Sequence, residues 1–152
     1  MKLIDTISRY KKAYRNWVYV LYSLYKVIIL SDKSNKKIKV VLRSNGKIRE
    51  ANLVLVDLYT LLLRYSNPNI KDIDIENNEI TFIFKGHKLK FIEPERGDLI
   101  ATFANEVYNF LNPKDEVVID IGASIGDSPI YFCVEGAKKV FALEPYPYTF
   151  KL

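Results

Sequence analysis

The 152 residues read as an α/β chain in which a β-α-β unit follows a small α+β region led by a long N-terminal helix. Two features carry that reading. Leu3, Ile7, Tyr10, Tyr14, Trp17, Leu21, Leu24 and Ile28 recur at spacings of four and three, which is one face of a helix. Far downstream, Val117–Ile119 is an unbroken apolar run, as in a parallel strand, and leads through Asp120 into a loop bracketed by Gly122 and Gly126. The boundary falls at residue 95, giving an N-terminal part (1–95) and a C-terminal part (96–152).

The elements follow in chain order. From Val18 on, Tyr19, Val20, Tyr22 and Val27 make the other faces of the first helix apolar too, so its second half calls for burial on more than one side. The apolar run Trp17–Leu30 comes after Arg9, Lys11, Lys12 and Arg15, is interrupted by Ser23 and Lys26, and lacks a small-residue cleavage site. It therefore reads neither as a secretory signal nor as a span, which takes roughly 20 apolar residues. A packing helix and an interfacial membrane helix both stay open. After the polar, Lys-rich stretch 31–37, residues 38–53 predict a hairpin turned by Asn45-Gly46. Val54–Tyr65 predicts a short helix stopped by residues 66–69. Residues 79–84 and 88–93 predict a second hairpin around Gly86-His87, which makes His87 an exposed turn residue. Leu99–Leu111 predicts a helix closed by Asn112-Pro113.

In the β-α-β unit, Ser128 is the expected N-cap, Pro129 the first helical residue and Gly136 the C-terminal stop. Cys133 on that helix reads as a small buried hydrophobe. Val140–Leu143 is the second strand, and it ends in Glu144.

Composition excludes several chemistries. A single Cys rules out a disulfide framework within the chain and a Cys-based zinc cage, and it suits a reducing compartment, so the cytoplasm is the expected location. With one His as well, no metal-ligand cluster is expected. The net charge of +5 hides an asymmetry. Residues 1–50 hold 13 Lys/Arg against 3 Asp/Glu (13 − 3 = +10), and residues 51–152 hold 10 against 15 (10 − 15 = −5). A basic first third suits a nucleic-acid or anionic membrane surface, and equally a solvated helix face beside a Lys-rich loop.

The glycine loop carries the chemistry. Ligands of such sheets sit beyond the carboxyl ends of the strands. Asp120 and Glu144 occupy two successive ends, about 4.8 Å apart if the strands are neighbours. Glu144 lies 22 residues after Gly122, near the spacing at which an acidic side chain grips ribose hydroxyls. No Gly-Lys-Ser/Thr follows, so this is not a Walker loop. A dinucleotide loop needs glycine at the first, third and sixth positions, and here these are Gly122, Ser124 and Asp127. Asp127 at the helix mouth would also repel a pyrophosphate. A cationic, ribose-bearing ligand without phosphate fits better, and S-adenosylmethionine is such a ligand. The plainer alternative is α/β scaffolding with Asp120 and Asp127 as caps.

Residues 117–132, 136–152 and the preceding ⁹⁷GDLIATFANEVYNFL¹¹¹ resemble the FkbM-type branch of S-adenosylmethionine-dependent methyltransferases, in a form common in archaea. The resemblance covers residues 97–152. It implies an incomplete Rossmann-like methyltransferase unit, with Asp120, Gly122, Ala123 and Gly126 lining the methionine end of the cofactor. It further implies that Glu144 holds the ribose hydroxyls, that Tyr146 faces the adenine, and that the methyl group goes to an oxygen. Ser124 departs from the Asn often found there. A complete domain of this class has further strands bearing the acceptor pocket, so the chain reads as a fragment or a truncated gene product, with its catalytic residues unassigned. Two other functions compete with it. One is a non-catalytic module whose basic, Tyr-rich N-terminal helix contacts nucleic acid, an anionic membrane or a partner protein. The other is an inactive remnant. Apolar strands without covering neighbours also predict self-association.

Overall fold

The predicted long helix is two helices, α1 (Leu3–Ala13) and α2 (Trp17–Leu30), in the computed structural model, which describes residues 3–30, 37–94 and 96–151. Between them the backbone leaves the helix to pair with a strand edge. The Arg15 N–H donates to the Val41 carbonyl at 2.8 Å, and the Arg43 N–H to that of Ala13 at 2.8 Å. Asn16 fixes the same edge, its side-chain amide donating to the Lys39 carbonyl and its oxygen accepting from the Val41 N–H. On α2, Val20 is fully buried and Leu21 and Leu24 pack on the core, while Val18, Tyr19, Tyr22 and Tyr25 are exposed. Among the described side chains one face is covered, not several. Residues 31–36, most of the Lys-rich stretch, and the side chains of Leu3 and Ile28 lie outside the described residues.

The first hairpin forms as expected from β1 (Lys37–Val41) and β2 (Ile48–Asn52), with Gly46 at φ +73° in its turn. Helix α3 (Leu53–Tyr65) follows directly. Asn52 caps it, its side-chain oxygen accepting from the Leu55 N–H at 2.9 Å, and Ser66 ends it in the left-handed conformation. Leu55, Val56, Leu58 and Leu62 are buried on α3, each worth roughly 1.5–3 kcal/mol over exposure. Three antiparallel strands come next, β3 (Ile70–Glu76), β4 (Glu79–Phe84) and β5 (His87–Ile92), in that spatial order. The pattern of residues does not predict β3, because a register shift between Lys71 and Asp74 interrupts its alternation. His87 is exposed, next to the turn.

The predicted helix over 99–111 is mostly absent. A short α4 (Arg96–Leu99) runs into one π-helical turn, Ile100–Ala104, closed by the Asn105 N–H on the Ile100 carbonyl at 2.9 Å. Glu106 then turns the chain at φ +46°, and its carboxylate accepts from the side-chain amides of Asn67 and Asn69, each at 2.8 Å. Polar anchoring from the α3–β3 connection ends the helix there.

The C-terminal part contains β6 (Val117–Ile121), α5 (Asp127–Val134) and β7 (Lys139–Leu143). The strands pair in parallel, from Val117 opposite Lys139 to Ile121 opposite Leu143. Val118 and Val140 face the core. The other face is bare: Val117, Ile119 and Ile121 are 55%, 65% and 80% exposed, and Phe141 and Leu143 are exposed beside them. One aromatic cluster joins the two parts of the chain, with the Phe103 ring 5.1 Å from that of Phe84 and 6.2 Å from that of Tyr131. The core therefore continues across residue 95. No described helix is long and apolar enough to cross a membrane.

Candidate cofactor site

Helix α5 begins two residues earlier than its sequence suggests. Gly126, at φ +84°, stands at its N-cap and Asp127 is the first helical residue. Ser128 is not the cap, because its hydroxyl turns back across the loop to donate to Asp120 Oδ2 at 2.6 Å. Pro129 consequently sits at the third helical position. Gly136, at φ +91°, follows the helix end as predicted. Cys133 faces solvent, against the expectation of burial.

The loop from Gly122 to Gly126 closes on the tip of β7. The N–H groups of Gly122 and Ala123 both donate to the Leu143 carbonyl, at 2.8 and 3.2 Å, and the Gly126 N–H donates to the Ala123 carbonyl at 2.7 Å. Gly122 and Ser124 both have positive φ, +85° and +47°. Glycine suits the first; Ser124 is held by bonds at both ends. Its N–H donates to Glu144 Oε2 at 2.7 Å, and its hydroxyl to Asp98 Oδ2 at 3.3 Å. The second oxygen of Glu144 accepts from the Tyr146 N–H at 2.7 Å. These two amides, Tyr146 first, hold the Glu144 carboxyl below the ordinary carboxylate range.

Of the residues assigned from sequence, Asp120, Gly122 and Glu144 therefore gather around one loop. Asp120 pairs with Ala142 in the register, and Glu144 lies two residues on, so both belong to the set of positions that faces α5. Ala123 is buried and offers the site only its backbone. The Tyr146 N–H holds Glu144, and its ring is exposed.

Four further residues join them: Asp98, Thr102, Tyr108 and Asp127. Asp127 accepts from the Thr102 hydroxyl, and Asp98 lies close enough to repel it. Burial, and then that repulsion, raise the Asp127 carboxyl above its ordinary value against the opposing Thr102 bond. Burial first, and then the charges of Asp127, Asp120 and Asp98, likewise raise the Tyr108 hydroxyl. Asp98, Thr102 and Tyr108 carry no motif of their own. No protein-family model matches the chain, and neither a curated protein nor a solved structure is similar to it beyond chance.

A loop ringed by Asp98, Asp120, Asp127 and Glu144 offers a cation abundant countercharge and a phosphate strong repulsion. A carboxylate has about four acceptor positions. Glu144 uses two of them on the backbone amides of Ser124 and Tyr146, and the Thr149 side chain also bonds to it. Among the described residues, no group of three or more His, Cys, Asp or Glu is placed to hold a metal ion.

Proposed function

We propose that the glycine loop binds S-adenosylmethionine and that the chain is the cofactor-binding part of a Rossmann-like methyltransferase. One observation carries the reading. Glu144 is fixed at the tip of β7 by the Ser124 and Tyr146 amides, in the position where an acidic residue receives two ribose hydroxyls, beside the strand that carries Asp120. The donor set suits the cofactor, whose sulfonium and ammonium are cationic and which has no phosphate. Glu144 is the ribose acceptor. Asp120, with Gly122, Ala123 and Gly126, borders the methionine end, and Tyr146 borders the adenine. When bound, the cofactor supplies an electrophilic methyl carbon. The chain's own contribution is to hold it still so that an acceptor meets that carbon in line. The FkbM-type likeness of residues 97–152 supports an oxygen as the acceptor atom.

Isothermal titration of the full chain with S-adenosylhomocysteine tests the site. Wild type should bind it, Glu144→Ala should weaken binding about tenfold or more, as loss of two charge-assisted hydrogen bonds implies, and Asp120→Ala should weaken it further. Binding that neither substitution changes would reject the assignment.

A further inference from the structure

The outer side of α2 is a second surface with a chemistry of its own, and it does not depend on the methyltransferase reading. Val18, Tyr22 and Tyr25 fall at spacings of four and three, with Tyr19 beside them. All four are 49–62% exposed, while Val20, Leu21 and Leu24 pack inward. The hydroxyls of Tyr10 and Tyr14 are used inside the fold, on Asp57 and the Val56 carbonyl. Those of Tyr19, Tyr22 and Tyr25 have no hydrogen-bond partner among the described residues.

A cation stands at each end of this stripe. Arg15 lines one shallow hollow of about 440 Å³ together with Val18, Tyr19 and Tyr22. Lys26 Nζ lies over the Tyr22 ring, 4.8 Å from its centroid. Neither has a carboxylate partner among the described residues, whereas Arg9 and Arg49 are paired with Asp57 and Asp74. The described residues from Thr6 to Arg49 include no Asp or Glu, so nothing on α2 offsets the two charges.

A tyrosine with a free hydroxyl has an apolar body and a polar tip, which suits the boundary between acyl chains and headgroups. No described helix is long and apolar enough to cross a bilayer, so contact would run along the helix. Cations at both ends of the stripe select an anionic surface, and the flexible Lys26 stem lets its ammonium lift from the ring toward a headgroup. A nucleic-acid strand would instead require cations tracking its phosphates between the stacked rings. Here the cations bracket the stripe and Val18 lies within it.

We propose that α2 lies along an anionic lipid surface, with Val18, Tyr19, Tyr22 and Tyr25 at headgroup depth and Arg15 and Lys26 meeting the anionic headgroups.

The full chain is sedimented with vesicles of phosphatidylcholine alone and of phosphatidylcholine with phosphatidylserine. It should pellet only with the latter, and less as salt is raised. Arg15→Gln and Lys26→Gln should each weaken binding about fivefold. Tyr22→Ser with Tyr25→Ser should weaken it about tenfold or more, and thermal melting checks that the variants stay folded. Lys88→Gln, exposed on β5, should leave binding unchanged. Two further measurements separate other occupants: binding of a single-stranded RNA oligonucleotide, and sedimentation velocity of the protein alone. The proposal is overturned by a failure to bind phosphatidylserine vesicles, or by an equal loss with Lys88→Gln. It is overturned too if RNA binds more tightly than vesicles through the same tyrosines, or if those tyrosines hold two copies of the chain together.

Discussion

Asp127 shows how one side chain records its surroundings. It is buried at the head of α5, accepts from Thr102 and is repelled by Asp98, and its carboxyl is raised above the ordinary value of 3.8. The folded protein thus binds a proton there more readily than the unfolded chain does. Stability from this group is fully present below the unfolded value, and it declines as pH rises through the folded one. Asp127→Asn keeps an oxygen for Thr102 and removes the titration. Melting temperatures of the two proteins should therefore diverge in favour of the variant as pH is raised from about 4 to 7. Curves that stay parallel across that range would show that Asp127 is not strained by charge. Cys133 teaches a different lesson at the same scale. An apolar neighbourhood in the sequence suggests burial, yet the side chain points to solvent, because a helix packed on one side leaves some apolar positions outside.

Among the elements, α1 and α3 are joined by a polar clasp within an otherwise apolar contact. Asp57 on α3 accepts from Arg9 at 2.9 Å and from the Tyr10 hydroxyl at 2.6 Å, and the Tyr14 hydroxyl donates to the Val56 carbonyl at 2.7 Å. Burial first, then the bond to Asp57, raises Tyr10 well above the usual phenol range, so it remains a donor throughout the physiological range. Asp57→Ala would strand the Arg9 charge, and urea unfolding should report a loss of about 3–5 kcal/mol. A loss under about 1 kcal/mol would mean that solvent replaces the clasp.

Elements governed by local rules were legible in the sequence. The Asn45-Gly46 turn, the body of α3 and its stop, and the β6–α5–β7 order all follow from turn chemistry and apolar period. Those governed by distant partners were not. The break at Tyr14–Asn16 has no Pro or Gly to mark it and arises because β1 offers unpaired backbone. The shortened helix before Glu106 depends on Asn67 and Asn69, more than thirty residues away. In the candidate site, the Gly loop, Asp120 and Glu144 stand out by spacing. Asp98, Thr102 and Tyr108 do not, because folding alone brings them to the loop.

For the molecule as a whole, the bare face of β6 and β7 is the largest departure from what its sequence requires. Parallel strands are normally covered on both sides. Here Ile119, Ile121 and Phe141 are open to water, with Lys139 reaching over the Phe141 ring at 4.4 Å. Sedimentation velocity should therefore reveal reversible association at micromolar concentration, reduced by Ile119→Glu with Phe141→Glu. A monomer at every concentration would show that the face tolerates exposure. The aromatic contact across residue 95 has a practical bearing on any attempt to study the parts separately. Phe84 belongs to the first part and Phe103 and Tyr131 to the second, so a cut at residue 95 would pass through a shared interior. Each piece would present torn hydrophobic surface, and neither could report faithfully on the ligand chemistry of the intact chain.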